Sequence, residues 1–113
     1  MGTRDSRRTE IPPGTLDMLI LKTLSRSPMH GYGIAEHIHQ MSEDVLEVEE
    51  GSLYPALQRL LIQGWVVAEW GQSENNRRAR FYRLTAAGRK QLERELSEFN
   101  RVMRAISRVI RTA

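Results

Sequence analysis

From residue 85 onward the chain carries one helical pattern whose apolar residues form a narrow seam. Leu92, Leu96, Phe99, Met103, Ile106 and Ile110 are spaced 4-3-4-3-4, the heptad pattern of helices that pack lengthwise against another helix. Thr85 is placed to cap this helix, and the pattern persists to about Arg111, roughly 27 residues and about 40 Å at 1.5 Å per residue. A seam so narrow and so long needs a cover. The 113 residues hold no further segment able to supply all of it, so the expectation is a partner, most simply a second copy.

Upstream, the pattern divides into short elements. Residues 1–13 read as a flexible arm with Arg4, Arg7 and Arg8 among polar residues, closed by Pro12-Pro13, which resists helix. Leu16, Leu19, Ile20 and Leu24 then define one helical stripe, ended by Ser27-Pro28. A second short helix is expected over Gly31 to Met41, followed by an acidic stretch with Glu43, Asp44, Glu47, Glu49 and Glu50, read as a solvated turn. A third helix is expected to open at Ser52 as its cap, with Pro55 in the first turn, Leu53, Leu57, Leu60 and Leu61 inward, and Gly64 at its end. The period then changes to that of strands. WVVAEW (65–70) and RFYRL (80–84) flank a nine-residue polar tip, residues 71–79.

The fold class implied is mostly α with a small β-hairpin: a winged helix-turn-helix over residues 14–88, preceded by the arm 1–13 and followed by a long C-terminal dimerisation helix, 89–113. In that arrangement one helix enters the major groove of a duplex and the hairpin tip reaches the neighbouring backbone or minor groove.

Charge agrees with this in its distribution more than in its total. The net charge is +3. Residues 1–76 hold 6 basic and 11 acidic side chains, whereas residues 77–113 hold 11 basic and 3 acidic. Arg77, Arg78, Arg80 and Arg83 put four guanidiniums within seven residues, and guanidinium forks onto phosphate oxygens and enters narrow grooves. The same run can also serve only as a solubilising loop. On the third helix, Pro55, Gln58, Arg59 and Ile62 oppose the leucines, with Tyr54 and Gln63 at the flanks. Gln and Arg suit purine edges, and Ser52 and Tyr54 suit phosphate; an ordinary solvated face has the same composition.

Other chemistries find little support. With no cysteine there is no disulfide framework and no thiolate ligand or nucleophile, which fits a cytoplasmic protein. The longest aliphatic run, Met18 to Leu21, is far short of the roughly 20 residues that cross a bilayer, and the charged N-terminal residues do not read as a secretory signal. His37 and His39 diverge on a helix, and no convergent triad or carboxylate pair is visible, so neither a metal nor a cofactor nor an enzyme is expected. Trp65 reads as core; Trp70 is open between core or interface packing and a stacking role against a planar ligand.

The strings GTLDMLILKTL (14–24), PMHGYGIAEHI (28–38), VEEGSLYPALQRL (48–60), QGWV (63–66) and RRARFYRLTAAGRKQL (77–92) closely resemble the PadR family of bacterial transcriptional regulators. The likeness extends over residues 14 to about 95, and is nearest to short-form members with a single C-terminal helix, including a compact group abundant in acidobacteria. The resemblance implies a homodimeric winged-helix repressor of an adjacent gene, acting on double-stranded DNA. It marks Tyr32, Ser52, Tyr54 and Pro55 as part of the DNA-facing motif and Arg77, Arg78 and Arg80 as its wing. Some members bind phenolic acids or planar drugs at the dimer interface, and the resemblance extends that expectation of a small-molecule effector to this chain. Here Phe99 is the only aromatic of the C-terminal helix, a departure from members that sandwich planar drugs with tryptophan. A second reading of the residues is a winged-helix protein-interaction module that docks another protein on helix 89–111 without sequence-specific DNA binding.

Overall fold

The computed structural model describes residues 9–12 and 14–112; Arg4, Arg7, Arg8 and Pro13 of the expected arm lie outside them. Helices α1 (Leu16–Leu24), α2 (Gly31–Met41) and α3 (Glu50–Ile62) converge on one core. Ile20, Leu21, Ile34, Leu53, Leu57 and Leu60 are fully enclosed there. The apolar spacing of α1 and α3 accounts for this directly, since residues three and four apart share a helix face. Ala56 joins the buried face of α3 while Leu61 lies at its margin.

The sheet is larger than a bare hairpin. Strand β2 (Met29–His30) precedes α2, and β4 (Val66–Gln72) pairs antiparallel with β5 (Arg78–Leu84) in the order β2-β5-β4. The pairing of Met29 with Tyr82 and of His30 with Phe81 joins the helical core to the wing. Two further short strands, β1 (Thr9–Glu10) and β3 (Leu46–Glu47), pair in parallel. Thr9 and Glu10, expected in a flexible arm, are therefore tied down, and the Thr9 amide donates to the Val45 carbonyl at 2.6 Å.

The acidic stretch is likewise an organised turn. Glu43 and Asp44 adopt left-handed backbone (φ 55° and 67°), a conformation open to Asp but uncommon for Glu. Behind them, the His39 ring approaches the Leu46 carbonyl at 3.0 Å and Asp44 at 3.3 Å, and the Leu46 amide donates to the Ser42 hydroxyl at 2.9 Å.

The start of α3 differs from expectation. Helix α3 opens at Glu50, with Glu49 in the capping position, because the Glu49 carbonyl accepts from the amides of Ser52 and Leu53 at 3.0 and 2.9 Å. Ser52 is thus inside the first turn rather than its cap. Pro55 is also inside the helix, where it has no amide to donate to the Gly51 carbonyl one turn before it; both residues are exposed. At the other end Gly64 (φ 76°) closes the helix as expected, with the Gly64 amide donating to Leu61 and the Trp65 amide to Leu60.

The strands also run further than read. Pairing continues through Gly71–Ala79 and Gln72–Arg78, so the tip shrinks to Ser73–Arg77, closed by the Ser73 amide on the Arg77 carbonyl at 2.8 Å. Gly71 reads as a loop glycine, yet its role is close packing. A side chain there would stand 3.1 Å from the Phe81 ring.

Helix α4 (Ala86–Arg111) is capped by Thr85, whose hydroxyl accepts from the Gly88 amide at 3.0 Å. Its first turns belong to the core. Gly88 lies against the Trp65 carbonyl, Leu92 is buried and Leu96 packs beside it. The expected seam therefore splits: Leu92 and Leu96 serve the chain's own core, while Phe99, Met103, Ile106 and Ile110 are exposed beyond it.

Candidate nucleic-acid interface

The residues singled out in the sequence fall on two sides of α3. Tyr32, Tyr54, Arg77, Arg78 and Arg80 line one cleft of about 620 Å³ between the start of α2, the outer face of α3 and the wing. Ser52, Pro55 and Arg59 line a second, of about 380 Å³, together with Glu10, Glu47 and Glu49. Gln58 is exposed on α3. The first cleft is aromatic and sets three guanidiniums against the carboxylates of Glu36 and Glu74. The second sets one, that of Arg59, against the carboxylates of Glu10, Glu47 and Glu49.

The first cleft is built by close local packing. His30 caps α2 through its ring, Nδ1 accepting from the Gly33 amide at 3.0 Å. This ring stacks with Tyr32 at 6.5 Å and meets Phe81 edge-on at 5.3 Å. Tyr32 is 69% exposed, and its hydroxyl lies 3.5 Å from a Glu36 carboxylate oxygen. Gly31 allows Tyr54 to lie down on the α2 start, since a Cβ there would be 3.0 Å from the Tyr54 hydroxyl. The phenol is thereby held in place while the residue stays 48% exposed to the cleft.

On the wing, alternation places Arg78, Arg80 and Tyr82 on one face of β5, opposite Gln72, Trp70 and Ala68 of β4. The Arg78 guanidinium lies over the Trp70 indole at 4.6 Å and that of Arg80 over the Tyr82 ring at 5.9 Å. Burial pushes the Tyr82 phenol above its ordinary pKa, against the opposing pull of Arg80. Among the described residues Arg77, Arg78 and Arg80 form no ion pair, whereas Arg83, on the opposite face, approaches Glu69 at 3.8 Å. Among the described residues, three of the four wing guanidiniums thus have no carboxylate partner.

Arg59 has one. It reaches from α3 to Asp17 of α1 with two hydrogen bonds, Nη2 to Oδ1 at 2.7 Å and Nε to Oδ2 at 3.3 Å. The hydrogen bond to Asp17, with its charge, raises the guanidinium further above its already high pKa. A fork already filled by a carboxylate is poorly placed to take a phosphate or a base.

Trp70 and Tyr82 complete the first cleft and were not assigned to it from sequence. The strand register, which pairs Trp70 with Arg80, is the signal that would have placed them. Among the described residues no group of three His, Asp or Glu side chains could hold a metal, and no helix is long and apolar enough to cross a membrane.

Residues 20–94 match the model of the transcriptional regulator PadR-like family. A transcriptional regulator from Clostridium thermocellum superposes with a TM-score of 0.77 at 26% identity, covering 84% of this chain and 92% of that one. A PadR family transcription regulator from Clostridium difficile superposes with a TM-score of 0.74 at 27% identity, covering 86% and 99%. In sequence, an uncharacterised 37.1 kDa protein in transposon TN4556 of Streptomyces fradiae is 41% identical over 85 residues, which span 75% of this chain and 23% of that protein.

Proposed function

The chain belongs to the PadR-like family of transcriptional regulators, and on that premise we propose that it is a homodimeric repressor that binds a pseudo-palindromic DNA operator. The convergence of Arg77, Arg78 and Arg80 with Tyr32 and Tyr54 on one cleft carries this reading. Guanidiniums without carboxylate partners displace counterions from phosphates and give affinity that falls with salt. Tyr54 and Gln58, on the exposed side of α3, are the side chains proposed to bias sequence, with Ser52 in its first turn and Pro55 within it. Arg59 is assigned a different part, as a strut from α3 to α1.

The dimer is proposed to form along the outer half of α4. Phe99, Met103, Ile106 and Ile110 are exposed there at heptad spacing, and a second α4 laid against them would bury the seam. Such a pair would present two α3 helices to half-sites one helical turn apart, about 34 Å. A groove of about 490 Å³ between α1 and α4, with Met18, Phe99 and Val102 on its walls, adjoins that seam and is where a small-molecule effector is proposed to act. Placement in the compact acidobacterial group and residence in the cytoplasm belong to the same proposal.

The test joins mass to binding. Light scattering of the purified chain is expected to give twice the 13.1 kDa monomer mass, and Ile106→Glu to give the monomer with its fold retained. Wild-type chain is expected to shift duplexes from its own promoter region at low salt. A stable wild-type monomer that shifts none of them would instead support the protein-interaction module that docks a different protein on α4.

A further inference from the structure

Trp70 is unusual for a tryptophan in a small domain. It is 61% exposed and neither fills the core nor lies on the α4 seam. It sits in the middle of the wing face, where Gln72–Arg78 and Trp70–Arg80 are adjacent cross-strand pairs. The Arg78 guanidinium is diagonal to Trp70 and lies over its indole at 4.6 Å. A diagonal approach between paired strands is within reach of long and aromatic side chains, and a guanidinium over an indole face is attracted by the ring's quadrupole.

An arginine on an exposed strand is costly to use. Its side chain carries about 2 kcal/mol of rotamer freedom that binding must remove. A flat platform under the guanidinium removes part of that freedom beforehand while leaving the N–H fork open at its edge. Arg80 lies comparably over Tyr82 at 5.9 Å. Arg78 and Arg80 are two residues apart on one strand face, about 6.8 Å along the strand, so both guanidiniums are held in a row facing the cleft.

We propose that Trp70 is a positioning residue for the wing: its indole holds the Arg78 guanidinium in the orientation in which it meets the DNA backbone. The inference rests on the DNA-binding reading above and adds an uncharged residue to it. Trp70 does not itself touch DNA in this scheme. Its contribution passes entirely through Arg78.

A double-mutant cycle on duplex affinity tests this, using the 113-residue chain, a promoter duplex and a scrambled duplex. Arg78→Ala is expected to weaken binding to both. Trp70→Ala is expected to weaken it about two- to fivefold, the range of an exposed cation–π interaction. In the Arg78→Ala background the further change Trp70→Ala should have no effect, because the side chain through which it acts is gone. Trp70→Tyr, which keeps a π face, should restore most of the loss. Thermal melting shows that each variant is folded.

If Trp70→Ala costs the same affinity in both backgrounds, the indole acts on its own and the proposal fails. It fails equally if Trp70→Ala binds like wild type. If Arg78→Ala itself leaves affinity unchanged, the wing reading is overturned and the positioning role with it, so the two failures are distinguishable.

Discussion

Helix α3, through Tyr54, and the wing meet at one cleft, but they are held and charged in opposite ways. Helix α3 is bolted to the core by Leu53, Ala56, Leu57 and Leu60, all buried, and its one guanidinium is tied to Asp17. The wing is anchored at its base, by β2 on one side, by Gly88 against the Trp65 carbonyl and by Val66, Tyr82 and Leu84 in the core, while residues 74–78 at its tip are exposed. Two of its four guanidiniums, those of Arg78 and Arg80, lie over aromatic rings, while Arg83 approaches Glu69. Under the proposed DNA-binding function, this difference is a division of labour. A rigid, nearly neutral helix suits reading base edges, where register matters, while a lightly held cationic ribbon suits the backbone, where charge matters.

The largest effects are expected on the anchors. Leu57→Ala should cost about 2–5 kcal/mol of stability, measured by chemical denaturation, because it hollows a site with little room to relax. Gly88→Ala should cost about 1–3 kcal/mol or more, since the new Cβ is driven into the Trp65 carbonyl and Leu84. A Gly88→Ala protein as stable as wild type would show that the wing base is looser than described.

Next in size are the wing charges. The Arg77→Ala/Arg78→Ala variant should lose on the order of tenfold in duplex affinity at moderate salt, with stability within about 0.5 kcal/mol of wild type. Arg59→Ala should do the reverse. It removes a largely solvated ion pair, costing about 0.2–1 kcal/mol, and leaves DNA affinity close to wild type. Were Arg59→Ala to weaken DNA binding as much as the wing variant does, the division between helix and wing would be broken.

The smallest effect lies outside both regions. Glu98 on α4 accepts from Arg101 at 2.6 Å, which lowers its carboxyl pKa. A lowered pKa contributes stability above the ordinary carboxylate range that is lost as pH falls through the folded-state value. Wild type should therefore lose slightly more melting temperature than Glu98→Gln between neutral and acidic pH, and equal losses would remove the pair from the account.

These comparisons also show what could be read from sequence. Helices α1 and α4 were legible because apolar spacing is a local signal, and Gly64 because helix ends have a glycine chemistry. The hairpin was legible as strand formers, but its true length was not. Gly71 looks like a turn residue until Phe81 is seen packed on it. Strands of two residues, such as β1 and β3, carry no periodicity to detect. The role of Arg59 was hidden because its partner is 42 positions away, and that of Trp70 because a strand register is needed to bring Arg78 above it. The split of the α4 seam was hidden for the same reason: a heptad stripe does not say which of its turns the rest of the chain covers.

The most direct test is the salt dependence of duplex affinity for wild type and the Arg77→Ala/Arg78→Ala/Arg80→Ala variant. Wild type should show log affinity falling steeply with log salt, and the variant should fall less steeply by about 0.9 for each phosphate it no longer neutralises. Parallel lines for the two proteins, or a wild type indifferent to salt, would contradict a wing that grips the DNA backbone.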